Sequence, residues 1–308
     1  MSKDHSILVT GLLERDSGKT HITSNLIHLF TQKGFTIIPF KPLSGHNFVY
    51  HYTNTLKNVK RGHLLSMDIQ QLAYAANLVE SNKKVDISLE VMNPTHILFT
   101  NLLIEPYIQE KITSSYFSMF NHSIPILQRY TIINLNDSLL SRHIYAIREN
   151  NQNFYSRIAI DTKTFKLLKR KGNKKIYFSN KEEFKQISEK HYRTAIESCF
   201  KKIQTQRPDL IIIESINNAA VPFSSKKISK TIKIVLAVQP GMVLSFDPQR
   251  YFLVLEEFSH FNGLIGKTLE SILKILKPEK IFRIPITQAF QKEDKLVREL
   301  LCYLNDFV

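Results

Sequence analysis

The 308-residue sequence predicts an α/β protein built on a mainly parallel, doubly wound sheet, and three observations predict it. Strand-like and helix-like patterns alternate along most of the chain, which calls for parallel strands joined by helical crossovers. Leu210–Ile213 and Lys233–Val238 are almost continuously apolar, as strands covered on both faces are. A β-branched run, Ser6–Thr10, passes through a glycine-bearing loop into the amphipathic stretch His21–Lys33, the strand–loop–helix unit from which such sheets are assembled.

Taken in order, Ser6–Thr10 is the first strand and His21–Lys33 the first helix. Phe35–Phe40 is a second strand ending at Lys41-Pro42, and Met67–Val79 reads as a helix. Leu210–Ile213 and Lys233–Val238 supply central strands, and Leu264–Ile265 and Ile281–Ile284 the last ones. Helices are expected at Gln249–Phe258, Leu269–Leu276 and Lys292–Asn305. The interval 107–188 breaks the rhythm and is read as an inserted basic α+β subdomain within a single 1–308 domain. Strand-like pieces fall at Thr131–Leu135, Ser156–Ile160 and Lys175–Ser179, and a helix at Ser138–Glu149. The segment Lys163–Lys175 carries seven basic residues and no acid. It reads as a solvated, lysine-rich hairpin, with RNA binding as the alternative. Phe165 is its one aromatic, whereas stacking on single strands wants more.

Composition narrows the class. The chain is long enough to bury a full core. No run reaches the apolar length that spans a bilayer, and Met1–Ser6 lacks the apolar centre of a signal peptide. Cys199 and Cys302 are the only cysteines, too few for a disulfide framework, and no Cys/His spacing points to zinc. A soluble cytoplasmic protein without membrane contact is expected. The net charge of +15 fits either a polyanion partner or a general lysine bias. The abundance of Lys, Ile and Asn, with no Trp and nine Gly, favours bias.

The richest segment is Gly11-Leu-Leu-Glu-Arg-Asp16-Ser17-Gly18-Lys19-Thr20. A strand, a loop ending Gly-Lys-Thr and a helix are the layout of a phosphate-binding loop. Its backbone N–H groups wrap nucleotide phosphates, its lysine reaches the outer phosphates and its threonine ligates Mg²⁺. This predicts the three-layer P-loop NTPase fold. Six residues separate Gly11 from Gly18, where the usual pattern has four. The bland alternative is a βα turn with a solvated Lys19. Lys41 and Ser44 follow the second strand, and Glu214 ends Leu210–Ile213. Ligands in doubly wound sheets gather beyond such carboxyl ends. A carboxylate there is placed to hold Mg²⁺, and Asp68 offers a second, unless it serves only as a helix N-terminal acid.

In combination, Gly11–Thr20, Lys41–Gly45, Asp68, Met92-Asn-Pro-Thr95 and Glu214–Pro222 resemble the dethiobiotin synthetase family and its ATPase relatives. Such proteins carry a lengthened loop ending Gly-Lys-Thr, a Lys-Pro motif, an Asp before a helix, a Val-Asn-Pro motif and Glu-Gly-Ala-Gly-Gly before a Pro. The resemblance covers about 1–110 and 190–300. It implies ATP and Mg²⁺ as cofactors, and ring closure of a cyclic urea on 7,8-diaminopelargonate from CO₂ through a phosphorylated carbamate. It implies a homodimer, with Lys19, Lys41 and Ser44 catalytic and Thr20, Asp68 and Glu214 on the metal. Gly11, Asp16, Ser17, Gly18, Lys19 and Thr20 would contact the nucleotide phosphates. Gln239, Pro240 and Gly241, with Ile284-Pro285, are placed on the adenine side.

The chain departs from the family where the glycine-rich turn becomes Ser215-Ile-Asn-Asn-Ala219. Asn217 and Asn218 are candidates for substrate contact there. Two other readings stay open: a sibling P-loop ATPase of another substrate, RNA-linked through the basic insertion, and a non-catalytic nucleotide switch. Arg15 in place of a loop lysine counts mildly against the switch. His46 and His51 read as loop histidines rather than bases, for want of a carboxylate partner.

Overall fold

A computed structural model of the chain describes residues 5–14, 16–78, 86–103, 123–134, 141–262, 268–285 and 294–307. Its eleven strands are β1 Ser6–Gly11, β2 Ile37–Phe40, β3 Leu43–Asn47, β4 Thr95–Thr100, β5 Ile124–Ile133, β6 Ser141–Arg148, β7 Lys174–Phe178, β8 Leu210–Glu214, β9 Ile232–Gln239, β10 Met242–Phe246 and β11 Lys280–Arg283. The first three helices are α1 Lys19–Gln32, α2 Tyr52–Arg61 and α3 Met67–Ala75. The chain is α/β with mostly parallel strands, as expected, but they form two mixed sheets rather than one. It divides into two compact units: Met1–Pro42, Asp68–Met92 and Phe200–Val308 in unit 1, Leu43–Met67 and Asn93–Cys199 in unit 2. The 107–188 interval falls inside unit 2. No described helix is long and apolar enough to cross a membrane.

Unit 1 holds the sheet β11-β10-β9-β1-β8-β2. β2, β8, β1 and β9 run parallel, and Ile7–Val9, Leu210–Ile213 and Ile234–Val238 are fully or almost fully buried. Burial on both faces is why these runs are continuously apolar. The register pairs Val9 with Glu214 and Gly11 with Val238, so the carboxyl ends of β8 and β9 flank the loop that leaves β1. Beyond β9 the doubly wound pattern stops. Pro240 and Gly241, at φ +78°, turn the chain straight back into antiparallel β10, and β11 is antiparallel again. A Pro-Gly pair suits such a tight turn and leaves no room for a helical crossover. The strand expected at Leu264–Ile265 lies outside the described residues. The helix expected to reach Val79 ends at Ala75, and Asn77 at φ +55° turns the chain out of it.

Unit 2 holds the sheet β3-β4-β5-β6-β7, parallel at its two outer pairings and antiparallel between. Its core gathers Phe48, Leu64, Leu98, Ile126, Leu127, Tyr145, Ile147, Phe165 and Leu168. The helix expected at Ser138–Glu149 is instead β6. Ile144, Tyr145 and Ile147 suit a strand, and pairing with both β5 and β7 outweighs any helical pattern. The strand expected at Ser156–Ile160 shortens to a single antiparallel bridge between Ile158 and Leu102, because a 3₁₀ turn takes Asn151–Arg157, where the Asn150 side chain accepts from the Tyr155 N–H at 2.7 Å. Ser44 and Gly45 lie in β3 opposite His96 and Ile97.

The basic hairpin is a helix over Thr162–Leu168. Asp161 caps it by accepting from the backbone N–H groups of Lys163 and Thr164 at 3.1 and 3.3 Å, and Phe165 and Leu168 anchor it. The Lys181–Thr205 helix was not read from the sequence at all.

Candidate functional site

In unit 1 the loop between β1 and α1 closes over Gly11. A side chain there would meet the Lys19 ammonium at 2.6 Å and the Asn217 carbonyl at 3.0 Å, along with the Ser17 hydroxyl. Only a glycine lets these groups approach so closely. Gly18 stands at φ +81° as the N-cap of α1 and offers no side-chain cap. The first N–H groups of α1 therefore lack the partner a Ser or Asp cap would supply. A helix start of that kind favours an anion. Asp16 is exposed at φ +53°, and Ser17 is buried.

Five side chains named from the sequence meet at the carboxyl ends of β1, β2 and β8. The Lys19 ammonium donates to the Ser17 hydroxyl at 3.0 Å and to the Asn217 carbonyl at 2.6 Å. The Thr20 hydroxyl donates to Glu214 Oε1 at 2.9 Å. Lys41 pairs with the same Glu214 oxygen and, at 2.6 Å, with Asp68 Oδ2. Glu214 is fully buried, and its Oε2 has no hydrogen-bond partner among the described residues.

Charge sets the two lysines apart. Burial, reinforced by Lys41 and opposed by Glu214 and Asp68, lowers the Lys19 pKa to about 8. Burial also pulls Lys41 down, but Glu214 and Asp68 outweigh it and hold that ammonium firmly protonated. Lys19 thus rests in a site that lacks a full countercharge for it, and a phosphate would supply one. Lys41 already has its carboxylates.

The donor set suits Mg²⁺. Thr20, Glu214 and Asp68 present hard oxygens, and the partnerless Glu214 Oε2 is an acceptor that a cation or its bound water would satisfy. No three His, Cys, Asp or Glu side chains converge into a metal site among the described residues. A Mg²⁺ here would therefore take much of its shell from nucleotide phosphates, its usual habit.

Gln239, Pro240 and Gly241 sit at the β9 end, immediately beyond Val238, whose carbonyl accepts from the Leu12 N–H at 2.9 Å. They lie on the edge of the sheet from which the loop emerges. Ile284 joins them through its N–H to the Gly241 carbonyl at 3.0 Å. In the turn after Glu214, Asn217 takes φ +47°, where the resemblance places a glycine. Asn is among the few other residues that tolerate this conformation. Its carbonyl, rather than its side chain, is what Lys19 holds.

Ser44 belongs to unit 2, in a buried polar chain that the sequence reading missed. Its hydroxyl bonds Asn93 Oδ1 at 2.9 Å and His96 Nδ1 at 2.6 Å. His96 Nε2 meets His46 Nδ1 at 2.6 Å, and His46 Nε2 meets the Thr55 hydroxyl at 3.1 Å. His46 is therefore no loop histidine but a β3 core residue, whose pKa burial first and His51 second lower to about 3. The clue was alternation: Ser44 and His46 share one face of β3, and register places Ser44 opposite His96. His51 bonds the Asn47 N–H through Nδ1 at 3.3 Å and is exposed.

Compared with known proteins, the chain matches no family model, no curated protein and no solved structure. Its functional reading rests on the geometry of the site.

Proposed function

We propose that this chain is a Mg²⁺-ATP-dependent enzyme of the P-loop type, which phosphorylates a carboxylate-like oxygen and then closes a C–N bond, as dethiobiotin synthetase does. One observation supports the reading above the rest: Lys19, Thr20, Lys41 and Asp68 gather with the fully buried Glu214 where a loop leaves a parallel strand for a helix. A βα turn with a solvated Lys19 would not bury that lysine or bring two carboxylates and a second lysine beside it.

The residues divide the work. The uncapped start of α1 and the N–H groups of the Gly11–Thr20 loop hold the phosphates. Lys19 leaves the Asn217 carbonyl and Ser17 to reach the transferring phosphoryl group. Lys41, kept charged by its carboxylates, faces the oxygens that develop negative charge. When bound, Mg²⁺ would neutralise phosphate charge, with Thr20, Glu214 and Asp68 as its protein ligands. In the dethiobiotin form of the reaction a substrate amine takes up CO₂ as a carbamate. A carbamate oxygen attacks the γ-phosphorus and ADP leaves. The second amine then attacks the carbonyl carbon and inorganic phosphate departs. The resemblance extends the proposal to a cytoplasmic homodimer acting on diaminopelargonate.

The test is ADP release from Mg²⁺-ATP with and without diaminopelargonate and bicarbonate, in wild type and Lys19→Ala. Stimulation by the diamino acid, lost in the variant, is the expected result. Lys19-dependent release that ignores the diamino acid would keep the ATPase and discard the substrate. The cause would then be sought in Ser215–Ala219, where Ser215 and Ile216 replace the family's small residues. No Lys19-dependent release would overturn the proposal.

A further inference from the structure

Unit 2 holds most of the chain's excess positive charge. It carries nineteen Lys and Arg against nine Asp and Glu, whereas unit 1 carries twenty-three against eighteen. A general lysine bias would spread the excess evenly. Within unit 2 it concentrates on two helices far apart in sequence. α2 has Lys57, Lys60 and Arg61 exposed and contains no acid. The Thr162–Leu168 helix and the turn after it expose Lys163, Lys166 and Arg170, again with no acid. The two helices pack against each other over the core that Phe48, Leu64, Phe165 and Leu168 share.

Crowding leaves a physical trace on this face. The Lys169 ammonium is pushed down by burial and then by Lys166 and Lys175, so these cations stand close enough to repel. The nearest acid in sequence, Asp161, is committed to capping its helix. Charge repulsion of this kind costs stability in the free protein, and a polyanion relieves it. The same surface offers flat apolar groups. Tyr50 is 71% exposed and Tyr52 40% exposed at the start of α2. The sequence around Lys163–Lys175 alone lacked such aromatics, and packing against α2 brings a second basic helix with two of them.

We propose that the α2 and Thr162–Leu168 face of unit 2 binds single-stranded nucleic acid, its lysines and arginines on the phosphates and Tyr50 and Tyr52 as stacking platforms. Phosphate contacts supply sequence-independent affinity and a steep salt dependence. Base stacking on exposed tyrosines is sequence-tolerant and favours single strands over duplexes. A membrane surface would call for an apolar insertion face larger than Leu56 and Leu167 provide. This inference stands apart from the nucleotide reading, since it uses none of the same residues.

The experiment is fluorescence anisotropy of a labelled oligouridylate against the full-length chain across a salt series. The comparison set is Lys57→Glu/Lys60→Glu/Arg61→Glu, Lys163→Glu/Lys166→Glu/Arg170→Glu, Tyr50→Ala, and Lys226→Glu/Lys227→Glu/Lys230→Glu from unit 1 as control. All of these positions are exposed, and folding is checked by unchanged thermal unfolding. Each helix triple should weaken binding more than tenfold and flatten the salt slope by about 0.7 per contact removed. Tyr50→Ala should weaken it about tenfold, and the control less than twofold. No wild-type binding at low salt, equal loss in the control, or binding to phosphatidylserine vesicles and not to the oligonucleotide would each overturn the proposal.

Discussion

Unit 1 and unit 2 treat buried polar groups in opposite ways. In unit 1 the parallel strands are apolar along their length, and charge enters at their carboxyl ends. There Glu214 is left with an acceptor that no described residue satisfies. In unit 2 polar residues thread the sheet itself, and each bonds the next from Asn93 through Ser44, His96 and His46 to Thr55. An unsatisfied buried acceptor is costly, and one beside two lysines at a strand end suits a site kept for a ligand. A closed chain of bonds specifies one packing of a core. The difference separates residues whose loss should remove chemistry from residues whose loss should remove stability.

The sharpest way to break that comparison is Lys19→Ala. It should cut ATP turnover by about 10²–10³-fold, the scale of losing one transition-state donor. Because burial holds Lys19 at about 8, its charge opposes folding at neutral pH. The folded state binds fewer protons than the unfolded one between about 8 and the ordinary lysine value, so stability contributed here rises with pH across that window. The variant should lose turnover without losing thermal stability, measured by calorimetry. A large fall in Tm would show that Lys19 is structural.

Next comes Arg129, fully buried in unit 2. It donates to the Leu64 carbonyl at 2.8 Å and the Asn93 carbonyl at 2.6 Å. Arg129→Leu strands those carbonyls and should cost about 3 kcal/mol or more in urea unfolding. ATP binding to the remaining folded protein should change little. If nucleotide affinity fell in step with stability, the two units would not be separable in function.

A smaller and reversible probe is pH. Asn93 donates its amide N–H to the Thr95 carbonyl at 3.2 Å, which turns Oδ1 toward Ser44. Ser44 then donates to Asn93, His96 donates to Ser44, His46 donates to His96, and Thr55 donates to His46. A proton added at His46 Nε2 turns the Thr55 hydroxyl toward the Phe48 and His51 carbonyls, each 3.4 Å away, and leaves a buried charge with no carboxylate to balance it. With His46 lowered to about 3 against about 6.5 unfolded, the unfolded chain binds more protons between those values. Stability contributed by unit 2 is full above about 6.5 and falls as pH drops toward 3. Hydrogen exchange of β3 and β4 amides should report it. Exchange in these strands that is insensitive to acid would refute the proton arrangement.

The smallest effect expected is at Gly18. Nothing blocks a side chain there, but φ +81° penalises one. Gly18→Ala should cost about 1 kcal/mol and weaken nucleotide binding several-fold in isothermal titration.

How much of this was legible follows the same division. The loop, β1, α1, β8 and β9 were readable because apolar runs and a Gly-Lys-Thr turn encode them locally. Lys41, Asp68 and Glu214 were readable because strand ends are where such residues act. Unit 2 was mostly not. β6 passed for a helix because a short apolar run with charges between its members has no decisive period. His96 was overlooked because its partners, Ser44 and His46, lie some fifty residues away. Only strand pairing brings them together. Pro240-Gly241 was read as an adenine-side strand end, not as a turn that returns the chain antiparallel.

One feature of unit 2 reaches beyond a single molecule. β7 is the outermost described strand on its side of the sheet, with Lys174 and Lys175 exposed and Tyr177 more than half exposed. An outer strand presents a row of backbone groups that another chain can copy. Here two approaching copies meet lysine against lysine, and the like charges hold them apart. That protection is electrostatic, so it weakens as salt screens charge over distances of about 8 Å at physiological ionic strength. The protein should stay dispersed at low salt and clump through this edge as salt rises, and neutralising the two lysines by acetylation should bring the clumping on early.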